Sequence, residues 1–452
     1  MSPMIKKIEQ FRKALLIVII IIVTILVVWR FFRLPAQYFQ ALDVSFVDIT
    51  DYYDDRTFAC TMSWDDFFAN TRNFEDMFGM LNSYDLTYTM GVITEHAEIR
   101  WSDIQDAFDW AQRNGTKANT PYLMELGSHS KDHSFPTGWD NATAYDQIWG
   151  SAMEIKGNIT LDGSFWAMNR TEYVLAWIEP WGQYSAYTRK ACGDYYYLTD
   201  RDTFGGLSET YWKLWDSEYG SYEVWGAYYD ADRVSNLTLK NGFDWCYINR
   251  RIFNIYGHPN NAKHVWDNPK SHTADWIKYI SGNTSCWYAH HGTLYSYHFI
   301  ETNQSGALWI KALENNEFQI TVNSTAHKLY GLSYPVTYKF NIPSACSTAN
   351  VYYRHRQRGN WIKLPTKTPA DFFNGIAACR FDFNNSKVYI SIGFSDISDD
   401  IYLKITGKCS SANQMGPAYK CSNLVVSAVA GAFPSRAPRR GRNETSTQNK
   451  GE

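Results

Sequence analysis

The chain has 452 residues, of which 17% are aromatic and 20% charged, with a formal net charge of −3. Disordered chains lack the rings needed to build a core, so this aromatic share excludes a disordered protein. Phosphate binding needs a basic excess, so the charge balance excludes nucleic acid as the main partner.

Ala14 to Trp29 is an uncharged apolar run, and Phe31 and Phe32 extend it past Arg30. A spanning helix needs about 20 apolar residues, which this segment just supplies. Lys6, Lys7, Arg12 and Lys13 precede it, and acids such as Asp43, Asp48 and Asp51 follow. The positive-inside rule then predicts a cytoplasmic N-terminus over 1–13 and a single transmembrane helix over 14–33. No small-residue cleavage site follows the run, so the helix reads as an uncleaved signal anchor. A linker over 34–51 leads to an extracellular remainder at the cell membrane. Ten Asn-x-Ser/Thr sequons, from Asn114 to Asn443, suit a glycoprotein in that compartment. The eight cysteines suit it too, with Cys346–Cys379 and Cys409–Cys421 as the local pairings expected.

Strand-like and helical patterns alternate next. Thr57–Trp64 reads as a strand, Phe67–Tyr84 has helical spacing, Leu86–Ile93 is a strand, and Trp101–Asn114 is an amphipathic helix. Leu123–Gly127 is a third strand. This order predicts an α/β domain over 52–310, built as a parallel sheet or barrel. Short alternating runs from Phe318 to Ile405 predict an all-β sandwich over 311–408. The segment 409–452 reads as a polar, disordered tail.

Two motifs sit at predicted strand ends. Ser63-Trp64-Asp65-Asp66 places adjacent carboxylates where βα folds collect their active sites. His129 and His133 follow the third strand, four residues apart. On one helical turn that spacing would bring both imidazoles to one face. With Asp66 they would form a His-His-Asp site with open positions, which suits a catalytic divalent metal, zinc by default.

The pair SWDD and SHSKDH resembles the first two motifs of NodB-type polysaccharide deacetylases, carbohydrate esterase family 4, and the resemblance covers about Thr57 to Ile310. It implies a distorted (β/α) barrel. It also implies that Asp65 is the catalytic base and that Asp66, His129 and His133 ligate the metal. Ser130 and His133 fit the family's H-S/T-x-x-H pattern. The third family motif, R-x-P-x-G, is matched by Ile178-Glu179-Pro180-Trp181-Gly182, with Ile178 where the family has the Arg that orients the base. Pro180, Trp181, Gly182 and Tyr184 are then the expected substrate-binding stretch. For the catalytic His, His258 and His290 compete, and the family order of strand, His, helix and final strand favours His258. Asp244-Trp245 is one candidate for the fourth motif.

The resemblance implies a membrane-anchored extracellular hydrolase that removes N-acetyl groups from a polysaccharide or cell-surface glycan. Ile178 and Phe67, which replace the usual Arg and Gly, favour the alternative of an inactive glycan-binding relative.

Overall fold

The computed structural model describes residues 44–117, 123–160, 174–195, 199–202, 223–226, 229–302, 308–322, 336–344, 346–355, 357–368, 377–393 and 400–409. The expected anchor over 14–33 and the tail from 410 lie outside the described residues. Among the described residues no helix is long and apolar enough to cross a membrane.

The first half is a parallel β/α unit. Its strands are β2 (Phe58–Phe67), β3 (Tyr88–Val92), β4 (Met124–Ser128), β5 (Ala176–Ile178), β6 (Thr199–Asp202), β7 (Glu223–Gly226), β8 (Tyr229–Asp230), β9 (Ile252–Gly257) and β10 (Cys286–Tyr288). They hydrogen-bond in the order β7-β6-β5-β4-β3-β2-β9-β8, with β10 also paired to β2. Every described pairing in this sheet is parallel. Nearly every residue of β2, β3 and β4 is buried, because helices cover one face while the other faces the interior.

The sheet curls strongly. Arg201 on β6 and Asp65 on β2 stand four places apart in strand order. On a flat sheet, four spacings of about 4.8 Å would separate them by roughly 19 Å. Their side chains nonetheless meet at 2.6 Å. This is the distorted barrel expected. Among the described strands it stays open, because β7 and β8 end the order unpaired to each other.

Helix α1 (Arg72–Ser83) buries Phe74, Met77, Phe78 and Leu81, an i, i+3, i+4 stripe against the sheet. It begins later than its spacing suggests. Phe67 ends β2 and packs on Phe74 with ring centroids 5.0 Å apart, and Phe68 stacks on His96 instead. Helices α2 (Trp101–Lys117), α3 (Ser151–Asn158), α4 (Ala186–Tyr195), α5 (Asn236–Asn249), α6 (His272–Ile280) and α7 (His291–Thr302) complete this half.

The second half is a two-sheet sandwich. One sheet runs β1-β13-β18-β17-β16, from β1 (Ser45–Ile49), β13 (Val336–Asn341), β18 (Lys387–Ile392), β17 (Ala378–Asp382) and β16 (Thr366–Lys367). The other runs β11-β12-β19-β14-β15, from β11 (Leu308–Ala312), β12 (Glu317–Val322), β19 (Ile401–Cys409), β14 (Cys346–Arg354) and β15 (Ile362–Lys363). Residues read as linker therefore contribute a strand, with β1 antiparallel to β13. One buried cluster joins both sheets to Ala59, Ile252, Trp287 and Ala289, which lie at the N-terminal ends of barrel strands or beside them. The sandwich thus closes the barrel floor.

The Cys346–Cys379 pairing is overturned. Cys379 is a free buried thiol, whereas Cys346 is disulfide-bonded. Cys346 stands opposite Cys409 in the β14–β19 register. Cys421 lies outside the described residues.

Candidate active site

Both acidic residues of the first motif end β2. Successive strand residues normally point to opposite faces. Here the register against β3 slips between Trp64 and Phe67, so two aspartates stand where one residue would. Asp66 takes a left-handed backbone at φ 63°. Such a bulge re-aims side chains. As a result both carboxylates reach the same imidazole, with Asp65 Oδ2 and Asp66 Oδ2 each 3.9 Å from His258 Nε2.

The histidine pair also converges, but not on a helix. His129 and His133 lie in the turn after β4, where Ser130 (φ 72°) and His133 (φ 58°) adopt left-handed backbone. Ser130 Oγ accepts from the His133 backbone N–H at 2.9 Å and closes the turn. A tight turn thus achieves what the spacing suggested a helical face would. Gly91 makes room for it, since a Cβ there would come within 3.2 Å of the His129 Cβ.

Asp66, His129 and His133 form a cluster whose ligand atoms all lie within 4.8 Å of one another. Asp66 Oδ1 is 3.5 Å from each Nε2. His129 Nδ1 donates to the Ile178 carbonyl at 2.7 Å, which leaves the Nε2 lone pair aimed at the cluster. Neither that Nε2 nor Asp66 Oδ1 has a hydrogen-bond partner among the described residues, although both are buried. Buried polar atoms left this way are costly. A divalent cation would satisfy both, so the donor set fits a metal. The ionisation states agree. Burial opposes charge on Asp66, but the His129 imidazole and the neighbouring histidines outweigh it and hold the carboxyl near 2. Burial and then His129 push His133 down to about 4, so it is neutral at pH 7, as a ligand must be.

Asp65 does not belong to that cluster. Its two oxygens each accept from Arg201 Nη2 at 2.6 Å. Both side chains are buried, at 5% and 0% exposure. Ile178, aligned with the family's Arg, is a buried residue of β5. The charge that the third motif lacks arrives from β6, the next strand in the sheet.

Beside both carboxylates stands His258, directly after β9 and partly exposed. Its Nδ1 donates to Asp232 Oδ2 at 2.6 Å. Burial would lower its pKa, but the Asp232 bond and the Asp65 and Asp66 charges raise it to about 9. Asp244-Trp245, the fourth-motif candidate, does not make the bond to His258 Nδ1. Asp244 instead sits on α5, bonded to Tyr279.

His290 is elsewhere. Its ring is fully buried, with burial pushing its pKa down to about 3, and it bonds to the backbone of Leu123. Leu123 precedes β4, whereas the site lies beyond that strand's other end.

Pro180–Gly182 form a single turn in which Trp181 has φ 60°, rare for a bulky residue. Trp181 Nε1 donates to the His133 carbonyl at 2.9 Å, and its ring lies 5.0 Å from the His133 ring. Phe135 stacks on the same Trp181 ring, with centroids 4.4 Å apart at 16°. Both rings are about half exposed, at 53% and 52%. Tyr184 is partly exposed and carries the Arg189 guanidinium 3.6 Å over its ring. Arg201, Asp232 and Phe135 were not singled out in the sequence; a lone Arg, Asp or Phe carries no motif signal there.

No family model and no curated protein matches the chain. Solved structures do. A candidate polysaccharide deacetylase from Mycobacterium smegmatis matches at 11% identity and a TM-score of 0.40, covering 58% of this chain and 96% of that one. A family 4 carbohydrate esterase from Streptomyces lividans, solved with acetate, matches at 14% identity and 0.30, covering 51% and 91%. A family 4 pseudoenzyme from Bacillus anthracis matches at 11% identity and 0.30, covering 52% and 65%. These neighbours belong to carbohydrate esterase family 4 or carry its activity in their description. Likeness at TM-scores below 0.5 assigns no chemistry to this chain.

Proposed function

We propose that this chain is a metal-dependent hydrolase that removes N-acetyl groups from a polysaccharide or cell-surface glycan. One observation carries the reading: a metal-ligand triad adjoins a carboxylate clamped by arginine and a histidine clamped by aspartate. Asp66, His129 and His133 would hold the metal, and the N, N, O donor set favours zinc. Bound there, the cation supplies Lewis acidity toward an acyl oxygen.

The protein's own groups divide the remaining work. Asp65 takes the proton of the attacking water, and Arg201 holds that carboxylate in place. His258 stands next to both carboxylates, protonated at neutral pH, and gives its Nε2 proton to the departing amine. Asp232 fixes the tautomer and the ring direction. A backbone amide near Tyr184 supports the developing oxyanion. Phe135 and Trp181 offer exposed ring faces beside the site, suited to the apolar face of a pyranose. Acetate and a free amino sugar are the products.

The inactive alternative rests on Ile178 and Phe67 in place of the usual Arg and Gly; Arg201 on the Asp65 carboxylate favours the active reading. The N-terminal run 14–33 anchors the chain, with the site outside the cell facing N-acetylated glycan. Acetate release from a panel of N-acetylated glycans, with metal analysis on the same protein, tests the reading. Release that requires metal supports it; full metal content with no release from any glycan overturns it.

A further inference from the structure

Asp232 serves two histidines. Its Oδ2 accepts from His258 Nδ1 at 2.6 Å. Its Oδ1 accepts from the His258 backbone N–H at 3.1 Å and from His264 Nε2 at 2.8 Å. A carboxylate has no proton to offer once ionised, so both imidazoles donate. The ionised form is secure. Burial opposes it, but the bonds from His258 and His264 outweigh burial and hold Asp232 far below the usual carboxylate range.

His264 is itself held on every side. Its side chain is 1% exposed. Trp64 meets its ring edge-on, with centroids 5.7 Å apart at 86°, and Trp266 packs at 4.9 Å. Trp266 Nε1 donates to the Pro259 carbonyl at 3.0 Å, and the His264 backbone N–H donates to Asn261 O at 3.0 Å. Gly257 lets Trp64 and Asp232 approach, since a Cβ there would lie 2.8 Å from the Trp64 ring and 3.0 Å from Asp232 Oδ1. Trp64 immediately precedes the catalytic aspartates, so the cage and the site share one strand.

Each bond lost lets a carboxylate turn further about its Cβ–Cγ bond, and of the two bonds to Oδ1 the one from His264, at 2.8 Å, is shorter than the one from the His258 backbone, at 3.1 Å. We infer that His264 is a positioning residue for the acid. It fixes the plane of the Asp232 carboxylate so that Oδ2 meets His258 Nδ1, and thereby keeps His258 Nε2 directed at the Asp65–Asp66 pair. The inference rests on the proposed role of His258. A purely packing role for His264 makes a different prediction, because a leucine fills similar space without donating, while a glutamine places its amide N–H near the former Nε2.

The test uses the full-length, zinc-loaded protein as wild type, H264L and H264Q. Two readouts are taken: kinetics of acetate release from an N-acetylglucosamine oligomer, and the downfield proton resonance of His258 Nδ1–H. The expected result is a kcat at least about tenfold lower in H264L, with KM within about twofold, out of the roughly 10²–10⁴-fold a positioned acid contributes. H264Q recovers most of that kcat. The resonance persists in wild type and H264Q and broadens or disappears in H264L. An unchanged resonance and kcat in folded H264L, or a glutamine variant no better than the leucine one, overturns the inference. If wild type releases no acetate while the resonance follows the expected pattern, positioning stands and the functional reading falls.

Discussion

At the scale of single residues, Asp65 and His258 are each held by one oppositely charged side chain, Arg201 and Asp232. Arg201 and Asp65 are both buried, so removing the cation strands a carboxylate in a low dielectric. Arg201→Met is expected to lower kcat by about 10²–10⁴-fold, the range of a general base, while metal content stays at the wild-type level. Loss of the metal in that variant would contradict the separation of base from ligands. The exposed stack makes a second prediction. An aromatic pair is worth about 0.5–1.5 kcal/mol beyond buried area, so Phe135→Ala should raise KM for a glycan oligomer by up to about tenfold with little change in kcat. The clustering of Asp65, Asp66, His129 and His133 was legible because each motif is contiguous. Arg201 and Asp232 were not, because only curling of the sheet and the approach of β8 to β9 bring them to β2 and His258.

At the scale of elements, two local devices decide the geometry, and neither shows in hydrophobic spacing. The bulge at Asp65–Asp66 turns alternate strand positions toward one imidazole. The turn after β4 substitutes left-handed residues for a helical face. The pattern of apolar residues fixes strands and helices well, as at β3 and α2, but says nothing of a register slip or a positive φ. A third device lies beneath the site. Glu125 on β4 is fully buried; burial drives its pKa up to about 7, against the hydrogen bond from Thr89 and the amide of Gly292 in the first turn of α7. The folded state therefore holds the proton more tightly than the unfolded chain does. The stabilisation is full below the ordinary carboxylate value and is lost as pH rises through about 7. Thermal scans between about pH 5 and 8 should show wild type losing stability relative to Glu125→Gln as pH rises, because that component is absent in the variant. Equal slopes for the two proteins would remove Glu125 as the cause.

At the scale of the whole molecule, the sandwich and the barrel are one compact body rather than beads on a linker. A buried ion cluster ties them. Asp54, in the turn between β1 and β2, meets Lys367 Nζ at 3.0 Å and Arg380 Nε at 3.1 Å, both from the sandwich. Burial lowers the Lys367 pKa to about 8 despite the Asp54 charge. Removing the shared anion leaves two buried cations, so Asp54→Asn should cost about 3–5 kcal/mol in denaturant unfolding. A loss under about 1 kcal/mol would show that the cluster does not hold the halves together. The sequence signalled both halves through their change of period, but not that residues 45–49 cross over to the sandwich. A five-residue strand before the barrel has no local mark of its distant partner, β13.

The central claim is that adjacent aspartates, turned to one pocket by a bulge, do different work. Metal content and acetate release from an N-acetylglucosamine oligomer, measured together on wild type, Asp65→Asn and Asp66→Ala, test it most directly. The account predicts that Asp65→Asn keeps the metal and loses acetate release, whereas Asp66→Ala loses both. An Asp66→Ala protein that keeps its metal and still releases acetate would contradict it.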